Sequence, residues 1–176
     1  SDDEGLPEFD YVIQSWDMAF EKTDGSDYIV GGIWGHAGKR KFLLKLYRAR
    51  ADFVETKEMV RKALREWPNT DMCYIEKKAN GPAVMADLRK EFDYFVGVDP
   101  RTSKLARAFA VSPQVERGEV FLPRPYLESW VDDYIKEISG FPQATYDDQV
   151  DMTTQALSIL AKYDCEQKEV VKTGDD

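Results

Sequence analysis

YVIQSWDMAF, residues 11–20, has the apolar, aromatic and β-branched content of a buried strand, and it carries one carboxylate, Asp17, towards its carboxyl end. A lone Asp is costly to bury unless it is paired, hydrogen-bonded or bound to a metal. The strand therefore implies partners for Asp17. Two acidic sets elsewhere stand out: Glu76, closing the apolar run MCYIE, and Asp147, Asp148 and Asp151 in YDDQVD.

Working outward, Glu21–Asp27 (EKTDGSD) carries the Asp-Gly signal of a turn, Tyr28–Trp34 reads as a second strand and Gly35–Gly38 as another turn. Lys39–Arg50 alternates in part, with Phe42, Leu44 and Leu46 on one side and Lys41, Leu43 and Lys45 on the other. These three strands form an antiparallel meander. Phe53, Val60, Leu64 and Trp67 then fall on one helical face, stopped by Pro68 and Asn69, before a strand at Met72–Glu76. A helix between strands implies a right-handed crossover that returns the chain parallel to an earlier strand. That places Asp17 and Glu76 side by side at the carboxyl edge.

Gly81 and Pro82 open a helix with Val84, Leu88 and Phe92 buried, and Phe95–Val98 is a fifth strand. Ser103–Phe109 reads as helical, Glu119–Leu122 as a short extended piece, Tyr126–Ile138 as an amphipathic helix, and Tyr146–Tyr163 as the last helix, with Val150, Thr154, Leu157 and Ala161 inward. The expected fold is α/β and ribonuclease H-like: a mixed five-stranded sheet, three antiparallel strands and then two parallel ones, flanked by helices. The domain is expected at 11–163, between an acidic disordered lead-in at 1–10 and an acidic tail at 164–176.

The 176 residues suit one soluble domain, their apolar runs are too short and broken to cross a membrane, and no signal-peptide pattern opens the chain. The chain starts at Ser1 rather than Met, as an excised piece would. Cys73 and Cys165 make no disulfide framework, which fits a reducing compartment. The net charge of -9 opposes phosphate binding at first sight, but residues 1–10 and 164–176 together carry -8 of it. The body between them is nearly neutral, and basic outside its candidate acids.

In YDDQVD, Asp147 and Asp151 lie one helical turn apart and Asp148 and Asp151 nearly so, and like charges at such spacings repel. Capping of the helix dipole accounts for Asp147 and Asp148 taken alone. Asp151 lies a turn in, at the margin of the apolar face, where a bound cation explains it better. Oxygen ligands without a Cys or His cluster favour Mg or Mn over Zn. Two such divalent ions can activate a water and stabilise the leaving oxygen in phosphodiester cleavage.

IEKKANGPAV around Glu76, SPQVERGEVFLP at 112–123 and FPQATYDDQVDMTTQAL at 141–157 closely resemble the C-terminal nuclease domain of tailed-bacteriophage terminase large subunits. The resemblance spans roughly residues 9–162. It implies an endonuclease that cuts double-stranded, concatemeric viral DNA during packaging in the host cytoplasm, with small-subunit and portal partners and a separate ATPase domain. It also implies metal binding by Asp17, Glu76 and the acids among Asp147, Asp148 and Asp151, with Asp148 and Asp151 the first choice because their spacing is similar to that of RuvC-type resolvases. Tyr146 stands where many relatives have His, so no histidine base is available at that position. Gly32–Lys39 does not make a phosphate loop, since its glycines are spaced wrongly and Arg40 follows Lys39. A junction resolvase or transposase-like nuclease on the same fold, or a catalytically degenerate docking module of a packaging assembly, are the alternatives.

Candidate DNA contacts are Lys39, Arg40 and Lys41, in an acid-free run from Tyr28 to Ala51 that also holds Lys45, Arg48 and Arg50 and that reads equally well as a solvated strand face. Asn80 and Gly81 precede a helix N-terminus, where free amides can hold a phosphate, although plain capping suits Asn80 better. The resemblance adds Lys104 and Arg107. His36 is expected to be exposed in a turn, and the four tryptophans to be core.

Overall fold

The computed structural model describes residues 5–18 and 28–170, with side-chain burial as far as 164. Six strands run in chain order as β1 (Tyr11–Asp17), β2 (Tyr28–Ala37), β3 (Arg40–Arg50), β4 (Met72–Glu76), β5 (Phe95–Val98) and β6 (Val120–Phe121). The helices are α1 (Phe53–Glu66), α2 (Gly81–Leu88), α3 (Lys104–Glu116), α4 (Val131–Gly140) and α5 (Asp148–Val170). The strands make one mixed sheet in the order β5-β4-β1-β2-β3-β6.

β1, β2 and β3 are the antiparallel meander, and the α1 crossover sets β4 parallel to β1, as the strand–helix–strand pattern requires. β5 adds parallel to β4. The expected five strands are six, because Glu119–Leu122 contributes a two-residue strand parallel to β3 at Lys41 and Phe42. So short a pairing carries no periodicity by which to recognise it.

The pleat sorts the strands between two cores. Val12, Trp16, Cys73 and Ile75 pack under α1 and α2, whereas Ile13, Met72 and Tyr74 pack under α3, α4 and α5. Trp16, Trp34, Ile13 and Met152 are fully buried, each worth roughly 1.5–3 kcal/mol in apolar burial. α1 starts at a capping box in which Asp52 and Glu55 each accept the other's backbone N–H.

Several boundaries move. β2 continues through Gly35 and His36 to Ala37, so the turn is only Gly38 and Lys39. His36 is therefore not an exposed turn residue: it is fully buried and its Nε2 lies 2.6 Å from Asp164 Oδ1. Lys41 is also fully buried, its Nζ 2.6 Å from Asp164 and 3.4 Å from Glu119. These two contacts carry the fold past residue 163, and α5 runs on to Val170 where an acidic tail was expected. At the other end Phe9 packs tilted on the Phe42 ring and Asp10 N–H donates to His36 O, so part of the lead-in belongs to the domain. α3 extends to Glu116 through Pro113, and α4 begins only at Val131, after turns over Arg124–Trp130. The turn expected at Glu21–Asp27 lies outside the described residues.

Candidate functional site

Strand parity and register bring two acids together at one edge. Trp16 pairs with Ile75 across β1 and β4, so Asp17 and Glu76 follow side by side at the two carboxyl ends. Both have the parity of Ile13 and Tyr74, which places them on the face covered by α5. They are 2% and 5% exposed. Among the described residues Glu76 Oε2 is buried without a hydrogen-bond partner, an arrangement that costs stability unless another group completes it.

α5 is pinned over this edge. Ser15 Oγ donates to Met152 O at 2.8 Å, and Gln155 Nε2 reaches Ser15 Oγ, Trp16 O and Tyr74 O at 3.0–3.5 Å. Met152 Sδ lies 3.3 Å from Trp34 Nε1, in space that is open because Gly32 has no Cβ: one there would stand 2.5 Å from the sulfur. Asp151, next in chain to Met152, is 4% exposed.

The YDDQVD acids divide between two surroundings. Lys104 Nζ lies 2.8 Å from both Asp147 and Asp151, and Arg107 Nη2 donates to Asp151 at 3.0 Å. Burial works against the Lys104 charge, but these carboxylates outweigh it and raise its pKa. Asp148 instead lies 3.7 Å from Arg48 Nη2, with its Oδ2 buried and without a hydrogen bond among the described residues. Burial, and after it the neighbouring Glu137 carboxylate, push the Asp148 pKa up to about 6. Asp151 shares a cation with Asp147, and Asp148, paired with Asp151 in the expectation from sequence, lies against Arg48. Among the described residues, no three acids, histidines or cysteines stand close enough together to hold a metal ion.

Gly81 sits close behind Glu76, and a Cβ there would come 2.2 Å from Glu76 O, so the approach of α2 to the end of β4 requires glycine. Asn80 occupies the N-cap position of α2 without making a side-chain capping bond, contrary to the simple capping role.

The basic turn lies away from the acids. Tyr11 pairs with His36 and Asp17 with Val30, so the turn bearing Lys39 lies at the far end of β1, about 20 Å from Asp17 by strand rise. Lys39 and Arg40 are exposed there, and buried Lys41 offers no surface to DNA. Val30 pairs with Arg48 and Tyr28 with Arg50, so these two arginines occupy the acidic end. A plain count of the hairpin register would have set Tyr47 against Val30, because the register shifts by one residue between Ile33 and Trp34. Glu137 had no local signal either: it is a buried acid on α4, and only tertiary packing reveals it.

A model of one protein family, described as the terminase RNaseH-like domain, matches residues 14–160. The large terminase of a thermophilic bacteriophage superposes with a TM-score of 0.64 at 11% identity, over 89% of this chain and 41% of its own. This chain therefore spans less than half of that protein. The large terminase nuclease of thermophilic phage G20c with bound zinc gives 0.59 at 16% identity, over 84% of this chain and 80% of its own. The fowlpox virus Holliday junction resolvase gives 0.55 at 15%, over 86% and 99%. A search of curated proteins finds no match.

Proposed function

The chain belongs to the terminase RNaseH-like domain family, and from that membership we propose that it is a divalent-metal-dependent endodeoxyribonuclease that cuts viral double-stranded DNA during packaging. The observation that carries the reading is the pair of nearly buried acids Asp17 and Glu76 at adjacent strand ends, with Glu76 Oε2 lacking a hydrogen bond among the described residues. An all-oxygen donor set of this kind suits a hard divalent cation such as Mg or Mn. The G20c nuclease has been seen with cobalt and with zinc, which supports divalent metal use here.

Asp17, Glu76 and Asp151 are the residues that would hold the metal, with half-exposed Asp147 as an outer ligand. Two bound ions would supply charge for activating a water and stabilising the leaving oxygen. The chain's own residues do the rest. Ser15 and Gln155 hold α5 against the strand ends, which in this reading would turn Asp151 towards the two strand acids. Lys104 and Arg107 neutralise Asp147 and Asp151 in the metal-free chain and are placed to meet a phosphate once those acids take a metal. Asn80, beside Glu76, would offer its backbone amide to the same strand of DNA, whereas the Gly81 N–H already donates to Lys78 O at 3.0 Å. The ATPase domain, the small subunit and the portal are proposed partners of the longer protein, and the host cytoplasm its setting.

Supercoiled plasmid incubated with the chain and Mn or Mg should be nicked and linearised, and chelator should abolish cutting. An equal rate in excess chelator would refute the metal-dependent reading.

A further inference from the structure

α5 carries one of the acids that hold the metal in this reading and is led by a second, so its first turn must be held in azimuth to within a fraction of a turn. Its leading amides need acceptors. One comes from another helix: Glu137, 6% exposed on α4, accepts the Gln149 backbone N–H at 2.7 Å and Gln149 Nε2 at 3.0 Å. A buried carboxylate on a helix N-terminus favours the dipole as well as satisfying the donor.

The far side of Glu137 is held by Arg48, whose Nη2 lies 3.6 Å from its Oε1. Arg48 reaches α5 because of an irregularity in β3. The pairing steps from Ile33↔Lys45 to Trp34↔Leu43, leaving Leu44 as an extra residue. Lys41 and Leu43 face α5 before the bulge, and Leu46 and Arg48 after it. Without that residue Tyr47, which stacks on Trp16 in the opposite core, would take the place of Arg48. The guanidinium lies 4.2 Å from the Tyr28 ring centroid and 5.6 Å from that of Tyr146, so aromatic faces at the starts of β2 and α5 fix it in place.

Resting on the metal-site reading above, we infer that Glu137, held by Arg48, is a positioning residue: it sets the rotation of the first turn of α5 and so the aim of Asp147 and Asp151 at the metal. It touches neither metal nor substrate. Partners behind ligating residues commonly alter metal affinity 10- to 100-fold when removed, and Glu137 acts one step further back, through the helix backbone.

The test compares native chain, Glu137→Gln and Arg48→Gln by Mn titration calorimetry, by thermal melts in chelator, and by hydrogen exchange at the Gln149 amide. Glu137→Gln preserves shape, and the Arg48 side chain keeps 24% of its surface exposed, so both variants are expected to fold. Glu137→Gln should weaken Mn binding about tenfold and speed exchange at Gln149, with Arg48→Gln following in the same direction by less. A role in stability alone would lower the melting temperature in chelator and leave Mn affinity unchanged, which overturns the inference. Native chain that binds Mn beside a Glu137→Gln variant that binds it equally well removes this inference and leaves the metal site standing. Native chain that takes up no Mn removes both.

Discussion

Ser15 Oγ donates to the backbone carbonyl of Met152 at 2.8 Å. Ser15 is two residues before Asp17 on one strand face, and Met152 is one residue after Asp151, so this bond joins the two chain segments that supply the acids. The strand ends and the helix are thereby held as one unit before any metal arrives.

Cutting should separate the acids. Asp17→Asn, Glu76→Gln and Asp151→Asn are each expected to lower plasmid nicking by orders of magnitude with the fold retained, as judged by circular dichroism. Asp148→Asn, whose carboxylate faces Arg48, should cost far less. Loss from Asp148→Asn equal to that from Asp151→Asn would restore Asp148 to the metal site.

Asp148 also sets a pH dependence in the metal-free chain. Its carboxyl ionises near 3.9 in an unfolded chain and at about 6 in the fold. The folded state therefore binds more protons between those values, and ionisation costs stability as pH rises through about 6. Asp148→Asn keeps the neutral form, so in chelator at pH 7.5 it should stabilise the chain by roughly 1–3 kcal/mol, a gain that disappears near pH 4. Denaturant melts at both pH values measure it, and no gain at pH 7.5 counts against the placement of Asp148.

Much of the fold was legible in the sequence. The β1 and β4 runs, the α1 crossover between them and the parity of Asp17 and Glu76 follow from local periodicity and a chirality rule, and the structure bears them out. What was not legible depends on long-range contacts. His36 and Lys41 looked like turn and surface residues, yet Asp164, more than 120 positions away, draws both inside. The β3 bulge that turns Arg48 towards α5 leaves no mark in a run that alternates imperfectly throughout, and the division of Asp147 from Asp148 depends on side chains from α3 and β3.

In the proposed site Lys104, 2.8 Å from both Asp147 and Asp151, would compete with metal for them. Lys104→Gln should tighten Mn binding several-fold in calorimetry while slowing plasmid cutting, since the same ammonium is proposed to meet the phosphate. Weaker Mn binding in this variant would show that Lys104 organises the acids instead of competing for them.

DNA affinity should depend on the acidic end of the sheet. Arg50→Ala is expected to reduce the slope of log affinity against log salt by ~0.9 if one phosphate contact is lost. Lys39→Ala with Arg40→Ala, at the opposite end, should leave the slope nearly unchanged. Filter binding in Ca across a salt series distinguishes them, and the reverse ranking would place the DNA along the β2–β3 turn.

The most direct test of the central claim, that Asp17, Glu76 and Asp151 form a divalent-metal site, is the melting temperature of native chain and Asp17→Asn across a Mn series beginning in chelator. Asp17 and Glu76 lie side by side at one buried edge, where like charges repel, so metal-free Asp17→Asn should be at least as stable as native. Mn should then stabilise native chain by about 2.7 kcal/mol at a hundredfold excess over its dissociation constant, and Asp17→Asn by much less. A native melt insensitive to Mn, or a metal-free Asp17→Asn markedly less stable than native, would show that these acids are structural partners and not ligands.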